Sequence, residues 1–310
     1  MPTKSFSSFE PFFNSIQHSN LRAMVLEPDR GKWTLTNLAL NKLSVQMGEA
    51  TGNAVVEGAQ PPGGVSIFIL LQGLSAMSGN GRRFDDCSLL VGKPGDDFCL
   101  AAHSPRRWCT IYIPNEDLAP VSEGPATAGN SGSGIVQLST QDMLRFRSTI
   151  QHLDEAVQLA PEAFNSPDAQ NAAWQKLIPE IRTVLAVRHA AMPTPGRRAV
   201  SRDQIIAAAM HFVDQHAGEF LSVEQLAASA CVSERTLRDA FQQYFGVSPV
   251  QYLNRRTLHR VRTALRAADP AVKTVTNIAA DHGVWQLGRF ARDYRNLFHE
   301  LPSETLRRSH

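Results

Sequence analysis

Apolar positions along the chain follow two different periods. From Trp33 to Ile113 they form short apolar or alternating runs, WTLTNLAL, VSIFILLQG, SLLVG, FCLAA and WCTIYIP, separated by Gly, Pro, Asn and Asp. Such runs are strands, because residues two apart share one face of an extended chain. About seven strands in roughly 80 residues predict a small all-β sandwich or barrel. Gly79, Asn80 and Gly81 predict a hairpin, since Asn and Gly accept the positive φ of a primed turn. The stretch PVSEGPATAGNSGSG at 120–134 has too little apolar content to pack and predicts a loop.

Beyond that loop the period lengthens. Phe146, Ile150, Leu153, Val157 and Ala160 step by four and three, which is a heptad-like helical seam. Trp174, Leu177, Ile178, Ile181 and Leu185 form a second stripe, interrupted by Pro179. These helices can cover the sheet of their own chain or meet a second subunit, and the pattern leaves both open. The segment MPTPGRRAVS, at 192–201, then reads as a linker.

The last third contains a repeat. Val223, Leu226, Ala227 and Val232 recur 52 positions on as Val275, Ile278, Ala279 and Val284. Leu237, Phe241, Phe245, Pro249 and Leu253 recur 53 positions on as Phe290, Tyr294, Phe298, Pro302 and Leu306, so the second copy has one extra residue in its turn. One supersecondary unit therefore occurs twice. Its spacing is that of a short helix, a tight turn and a second helix opening at Ser233, a suitable N-cap. Gly246 followed by Pro249 reads as the stop, and Gly283 supplies a left-handed turn in the second copy. Between the copies, 255–268 reads as one linker helix closed by Asp269 and Pro270. The two helix-turn-helix units span about 222–245 and 275–298.

The outward faces of the second helices carry side chains suited to base edges. The first shows Arg235, Thr236, Arg238, Asp239 and Gln242, and the second Gln286, Leu287, Arg289, Arg292 and Asp293. Arginine bonds guanine bidentately, and glutamine does the same to adenine. The runs LSVEQLAASACVSERTLRDAFQQYFGVSPVQYL, RRTLHRVRTALR and VTNIAADHGVWQLGRFARDYRNLFHELPSETL together resemble the DNA-binding region of AraC/XylS-type transcription regulators over Ser222 to Leu306. The resemblance implies that both recognition helices enter successive major-groove segments of double-stranded DNA. It places the base-facing positions on Arg235, Thr236, Arg238 and Asp239, and on Gln286, Leu287, Gly288, Arg289 and Arg292. It also implies an N-terminal cupin-like β domain that binds a small effector and helps to form a homodimer, and RNA polymerase as a partner. Two positions depart from the family pattern. Val284 follows Gly283 where an aromatic residue is usual, and His299 stands where glycine usually ends the recognition helix.

Charge follows the same division. Residues 197–310 carry 16 Lys and Arg against 11 Asp and Glu, whereas residues 1–196 carry 15 against 18. The basic excess sits where phosphates would lie. No apolar run reaches the roughly 18 residues of a membrane span, and the N-terminal MPTKSFSSFEPFF lacks the features of a signal peptide, so a cytoplasmic protein is expected. Cys87, Cys99, Cys109 and Cys231 have no C-x-x-C spacing and are expected to pack as reduced, small apolar residues. Arg106 and Arg107, close to Cys109, leave a thiol sensor as a second reading.

The chemistry of the N-terminal part is less specific. Trp33, Met47, Phe68 and Trp108 are candidates to line a ligand cavity, and equally ordinary core. Arg82, Arg83, Arg106 and Arg107 can hold an anionic effector or be solvated loop charges. A metal-dependent cupin-like enzyme needs several imidazoles on neighbouring strands, but of His18, His103, His152 and His189 only His103 lies in the strand-rich stretch. No metal site, cofactor or catalytic residue is therefore expected. The expected architecture is α+β. Residues 1–191 form an effector-binding and dimerising domain, with strands over 33–113 and packed helices over about 140–191. A linker over 192–201 leads to an all-α DNA-binding region over 202–310. The expected function is that of an effector-controlled transcription regulator, an activator and not an enzyme. The alternatives are a cupin-like enzyme fused to a DNA-binding module and a ligand-independent DNA-binding regulator.

Overall fold

The structure, a computed structural model, describes residues 3–17, 20–28, 31–41, 43–73, 77–80, 82–102, 105–117, 134–190, 202–216 and 219–308. The expected linker at 192–201, His18 and His103, and nearly all of the expected loop at 120–134 lie outside the described residues. Two compact units are present, one of residues 1–23, 31–51 and 56–197, the other of residues 24–30, 52–55 and 198–310.

The N-terminal strands are β1 (Lys4–Phe6), β2 (Asn20–Val25), β3 (Trp33–Leu40), β4 (Leu43–Ala50), β5 (Ala54–Ala59) and β6 (Gly64–Gln72). They continue as β7 (Met77–Gly79), β8 (Arg82–Arg83), β9 (Ser88–Gly92), β10 (Asp97–Ala102), β11 (Arg106–Pro114) and β12 (Gly134–Gln137). One sheet has seven strands in the order β1-β3-β4-β11-β6-β9-β12, and the other has five in the order β2-β5-β10-β7-β8. The predicted hairpin is present: β7 pairs antiparallel with β8, and Asn80 takes a φ of 46° at the turn. The expectation of about seven strands omits short or mixed-polarity ones such as β1, β5 and β8, whose composition resembles that of turns. Gly134, assigned to the loop, begins β12.

Alternation gives the seven-stranded sheet two apolar faces. Val45 and Met47 on β4, Ile67 and Ile69 on β6, Leu89 and Val91 on β9, and Cys109, Ile111 and Ile113 on β11 all join one buried cluster. The same cluster contains Phe146, Ile150, Leu153 and Val157 from α2 (Thr140–Leu159) and Leu177, Ile181 and Leu185 from α3 (Pro167–Ala190). The heptad-like seam is therefore occupied within the chain, and Ala160, which lies beyond the end of α2, is exposed. Pro179 does not interrupt α3. One proline costs a helix about 3 kcal/mol, and buried contacts from Leu177 to Leu185 on both sides of it offset that.

The second unit is helical: α4 (Arg202–Gln215), α5 (Val223–Ser229), α6 (Glu234–Phe245), α7 (Pro249–Ala267), α8 (Val275–Asp281), α9 (Leu287–Phe298) and α10 (Pro302–Arg307). Ile205, Ile206, Ala209 and Val213 give α4 a buried face, and it packs on α5 and α6. The linker helix begins six residues earlier than 255, because Pro249 starts a helix rather than ending one. Proline lacks only an N–H that the first turn leaves unused, and Ser248 and Gln251 close a capping box around it.

Phe146→Ala should remove a buried ring from the core between sheet and helices, costing about 3–5 kcal/mol. Thermal denaturation of the full chain should show a transition lowered by about 10 °C. If the variant instead keeps its melting temperature and changes only its oligomeric state, the seam belongs between subunits.

Candidate nucleic-acid interface and ligand cavity

Both helix-turn-helix turns close in the same way. After α5, the Cys231 and Val232 amides donate to the carbonyls of Ala228 and Ala227, both at 3.0 Å. After α8, Gly283 and Val284 donate to Ala280 and Ala279 at 2.9 and 3.0 Å. These are the paired bonds of a helix end that needs one left-handed residue. Cys231 (φ 53°) fills that position in the first unit and Gly283 (φ 74°) in the second. Cys231 is exposed there, so the expectation that all four thiols pack as apolar residues fails at this position, where turn geometry rather than burial sets the backbone.

The helices that follow start differently. Ser233 caps α6, its side chain accepting from the Thr236 amide, whereas Gln286 precedes α9 without a side-chain cap bond. The extra residue of the second copy lies between Val284 and Leu287, and it places Trp285 in the turn with 81% of its surface exposed. Trp285 was not singled out from the sequence. Its signal is an aromatic residue that belongs to the buried stripe of neither flanking helix.

Arg235, Thr236, Arg238 and Asp239 are all exposed on α6, while Leu237, Ala240, Phe241 and Tyr244 are buried beneath them. Gln286, Leu287, Gly288, Arg289 and Arg292 are likewise exposed at and after the start of α9, above buried Phe290, Tyr294 and Leu297. The ion pairs on these faces are long and solvated: Arg238 to Glu234 at 3.9 Å, and Arg289 and Arg292 to Asp293 at 3.6 Å each. Pairs of that kind contribute little, so the guanidinium groups can exchange partners at small cost.

Both units are anchored to α7. Tyr252 packs at a tilt against Phe245 and meets Phe241 edge-on, with ring centroids 4.6 and 5.6 Å apart. At the other end Arg262 lies over the Phe298 ring, 4.3 Å from its centroid, and donates to Glu300 at 2.9 Å. Glu300 also accepts from Arg308 at 3.0 Å and from Thr305 at 2.8 Å, and the Tyr294 hydroxyl lies 2.7 Å from Thr305 Oγ1. Burial pushes the Tyr294 phenol up to about 12, which keeps it a neutral hydrogen-bonding group.

In the first unit the other face of the seven-stranded sheet looks onto a cavity of about 100 Å³. Arg106, Trp108, Thr110 and Tyr112 alternate along β11 to line it, with Ser66 and Phe68 from β6 and Gln46 from β4. Gly48 is required here, since a Cβ would lie 2.5 Å from the Trp108 ring. Phe9, Phe12 and Phe13 of α1 (Phe9–Phe13) add an aromatic wall that the sequence reading did not assign to the site. Their signal is the FEPFF run, which is too short to show a helical period.

The four cavity candidates separate. Phe68 and Trp108 line it, with ring centroids 6.1 Å apart. Trp33 does not: it is buried against Phe9 and Phe12, at 4.9 and 5.1 Å. Met47 does not either, because its side of β4 faces the helices. The arginines separate too. Arg82 and Arg83 are exposed on β8, and Arg107 pairs with Asp154 of α2. Arg106 is only 6% exposed, and burial lowers its guanidinium to about 10, so it stays charged at neutral pH. Cys109 points away from Arg106, and burial together with Asp154 raises its thiol, which disfavours a thiolate sensor there. Among the described residues, no group of three or more His, Cys, Asp and Glu is placed to hold a metal ion.

Comparison with known proteins agrees with the helical half. The helix-turn-helix domain family matches residues 226–308. The XylDLEGF operon transcriptional activator of Pseudomonas putida is 39% identical over 98 residues, which are 32% of this chain and 30% of that protein. The C-terminal part of the chain is thus similar to the DNA-binding part of transcriptional activators of the AraC/XylS type. A probable thc operon regulatory protein of Rhodococcus erythropolis is 38% identical over 103 residues, 33% of this chain and 31% of its own length. A solved structure of a probable AraC family transcriptional regulator from Rhodopseudomonas palustris is 34% identical, covering 34% of this chain and 97% of that one, with a TM-score of 0.32. The chain thus spans less than a third of these two curated relatives, and the AraC/XylS likeness they carry is confined to the DNA-binding part.

The AraC/XylS-type second unit departs from glycine at one cap. His299 holds a left-handed conformation (φ 57°) at the end of α9 and is exposed. His299→Gly should therefore stabilise the second unit by about 1 kcal/mol. Urea unfolding of the full chain should show the gain, and a loss of stability would mean that the imidazole makes a contact worth more than the backbone strain.

Proposed function

We propose that this chain is a sequence-specific transcription regulator that activates its target genes and is controlled by a small molecule bound in the N-terminal cavity. One observation carries the reading. Two recognition helices, each with a buried apolar face and an exposed face of Arg, Thr, Gln and Asp, are held on a single linker helix. Either helix alone is an ordinary solvated surface. Two copies on one support form a reader for two major-groove segments.

In this reading residues 1–191 bind the effector and contribute to a homodimer, 192–201 link, and 202–310 bind DNA. Arg235, Thr236, Arg238 and Asp239 contact bases from α6, and Gln286, Leu287, Gly288, Arg289 and Arg292 do so from the start of α9. RNA polymerase is the partner that an activator engages, and the cytoplasm is where the chain acts. No described helix is long and apolar enough to cross a membrane. The effector shifts the population between two arrangements of the chain that differ in affinity for DNA.

DNA enriched by the purified protein from a random pool supplies the site for the test. Arg235→Ala and Arg238→Ala should each weaken binding to that DNA by about 1–3 kcal/mol and affect unrelated DNA far less. Equal losses on both would make these residues phosphate contacts. Light scattering at micromolar concentration should give the mass of two chains, and a single-chain mass would remove the homodimer from the proposal.

A further inference from the structure

The residue inserted into the second copy of the repeat is a tryptophan at the start of a recognition helix. Val232 and Ser233 are adjacent in the first helix-turn-helix unit, whereas Trp285 stands between their counterparts Val284 and Gln286 in the second. It does not pack. Trp285 is 81% exposed and Leu287, the first residue of α9, is 38% exposed, although the same helix buries Phe290, Tyr294 and Leu297 on its other side. The first unit has no equivalent, since its α6 opens with Glu234, Arg235 and Thr236. One exposed apolar residue is ordinary, but these two lie two positions apart beside the side chains assigned to base edges.

Their surroundings point to DNA as the partner. Trp285 borders a groove together with Gln286 and Arg289, so it is continuous with the reading positions. Arg256 and Arg260 of α7 line the same groove, with Glu219 and Asp293 as its acidic groups among the described residues. Partial burial and the neighbouring Arg256 charge hold the Arg260 guanidinium below its usual value, a repulsion that an anionic strand relieves. Gly288 leaves the helix surface bare between Leu287 and Arg289, since a Cβ there would meet nothing within 4 Å. A base edge can therefore come close to the backbone.

Resting on the DNA-binding reading above, we infer that Trp285 and Leu287 form an apolar reading edge for the 5-methyl groups of thymine in the major-groove segment met by α9. That methyl is the apolar feature a base pair shows in the major groove, and apolar side chains recognise it by contact. The two units then read by different chemistry. Arg235, Thr236 and Arg238 on α6 offer hydrogen bonds, whereas α9 adds methyl contact to the hydrogen bonds of Gln286, Arg289 and Arg292.

Deoxyuridine pairs as thymidine does and lacks only the methyl, so replacing one by the other isolates the contact. In DNA enriched from a random pool by the full chain, thymidines are replaced one at a time by deoxyuridine, and affinity is followed by fluorescence anisotropy. At least one replacement should weaken binding about fourfold, the loss expected for one buried methyl group. Trp285→Ala and Leu287→Ala should both bind the thymidine DNA more weakly, and in at least one of them the two forms of the DNA should bind alike. Arg235→Ala, in the other unit, should bind weakly overall and keep the full methyl preference. Equal binding of every deoxyuridine form to the wild type overturns the inference, while losses at Arg235 and Arg238 still support the regulator. A preference that persists undiminished in both variants reports DNA shape and also overturns it. Variants that bind the selected DNA as tightly as the wild type leave the groove, with exposed Phe220 and Val250 on its wall, to a protein partner, and the inference falls. If no sequence is enriched at all, the regulator reading fails and this inference with it.

Discussion

Everything that a pair of recognition helices can do on DNA depends on the helix that holds them. Tyr252 near the start of α7 packs on the rings of α6, and Arg262 further along is fixed over Phe298 and onto Glu300. Ten residues separate these anchors on the chain, a rise of about 15 Å along a regular helix. A helix is stiff at that length, so the two units keep a set distance and phase. The anchors differ in kind. One end is aromatic packing, which is weakly directional, and the other is a buried carboxylate shared by two arginines and a threonine, which fixes orientation as well as contact.

The N-terminal unit solves a different problem with one sheet. Because side chains alternate, β4, β6, β9 and β11 give one set of residues to the helices and another to the cavity. The helix side is filled by α2 and α3, so the strands are held from behind. The cavity side is left with rings, a few internally bonded amides and hydroxyls, and Arg106. A cavity backed by a packed core keeps its shape when empty, which lowers the cost of ordering the site on binding.

How much of this was legible in the sequence depends on the range of the interaction that decides each feature. The helix-turn-helix units were readable because their determinants are local: the apolar stripe of Leu237 and Phe241, the Ser233 cap, and the glycines at 246 and 283. Pro249 was misread for the same local reason, since a proline beyond a glycine fits the end of one helix as well as the start of the next, and only the Ser248 and Gln251 capping box separates them. In the β domain the strands were visible but their faces were not. Period two says that Gln46 and Met47 point opposite ways, and nothing local says which side holds the helices. Hence Met47 and Trp33 were placed with Phe68 and Trp108, although only the latter two line the cavity. The same blindness left the Phe146 to Val157 seam undecided until the sheet it covers was in view.

The two classes of charge in the second unit divide its work. Arg238, Arg289 and Arg292 are exposed themselves and meet carboxylates only at 3.6–3.9 Å, while Arg262 holds a carboxylate at 2.9 Å in a largely buried setting. Salt screens exposed pairs strongly and buried ones weakly. Rising ionic strength therefore weakens the recognition faces' grip on an anionic partner without loosening the scaffold that spaces them. A phosphate or a base edge can displace a weak surface pair on α6 or α9, whereas nothing reaching the surface competes for Glu300. The reading faces stay adaptable because the charges that build the domain are kept out of their reach.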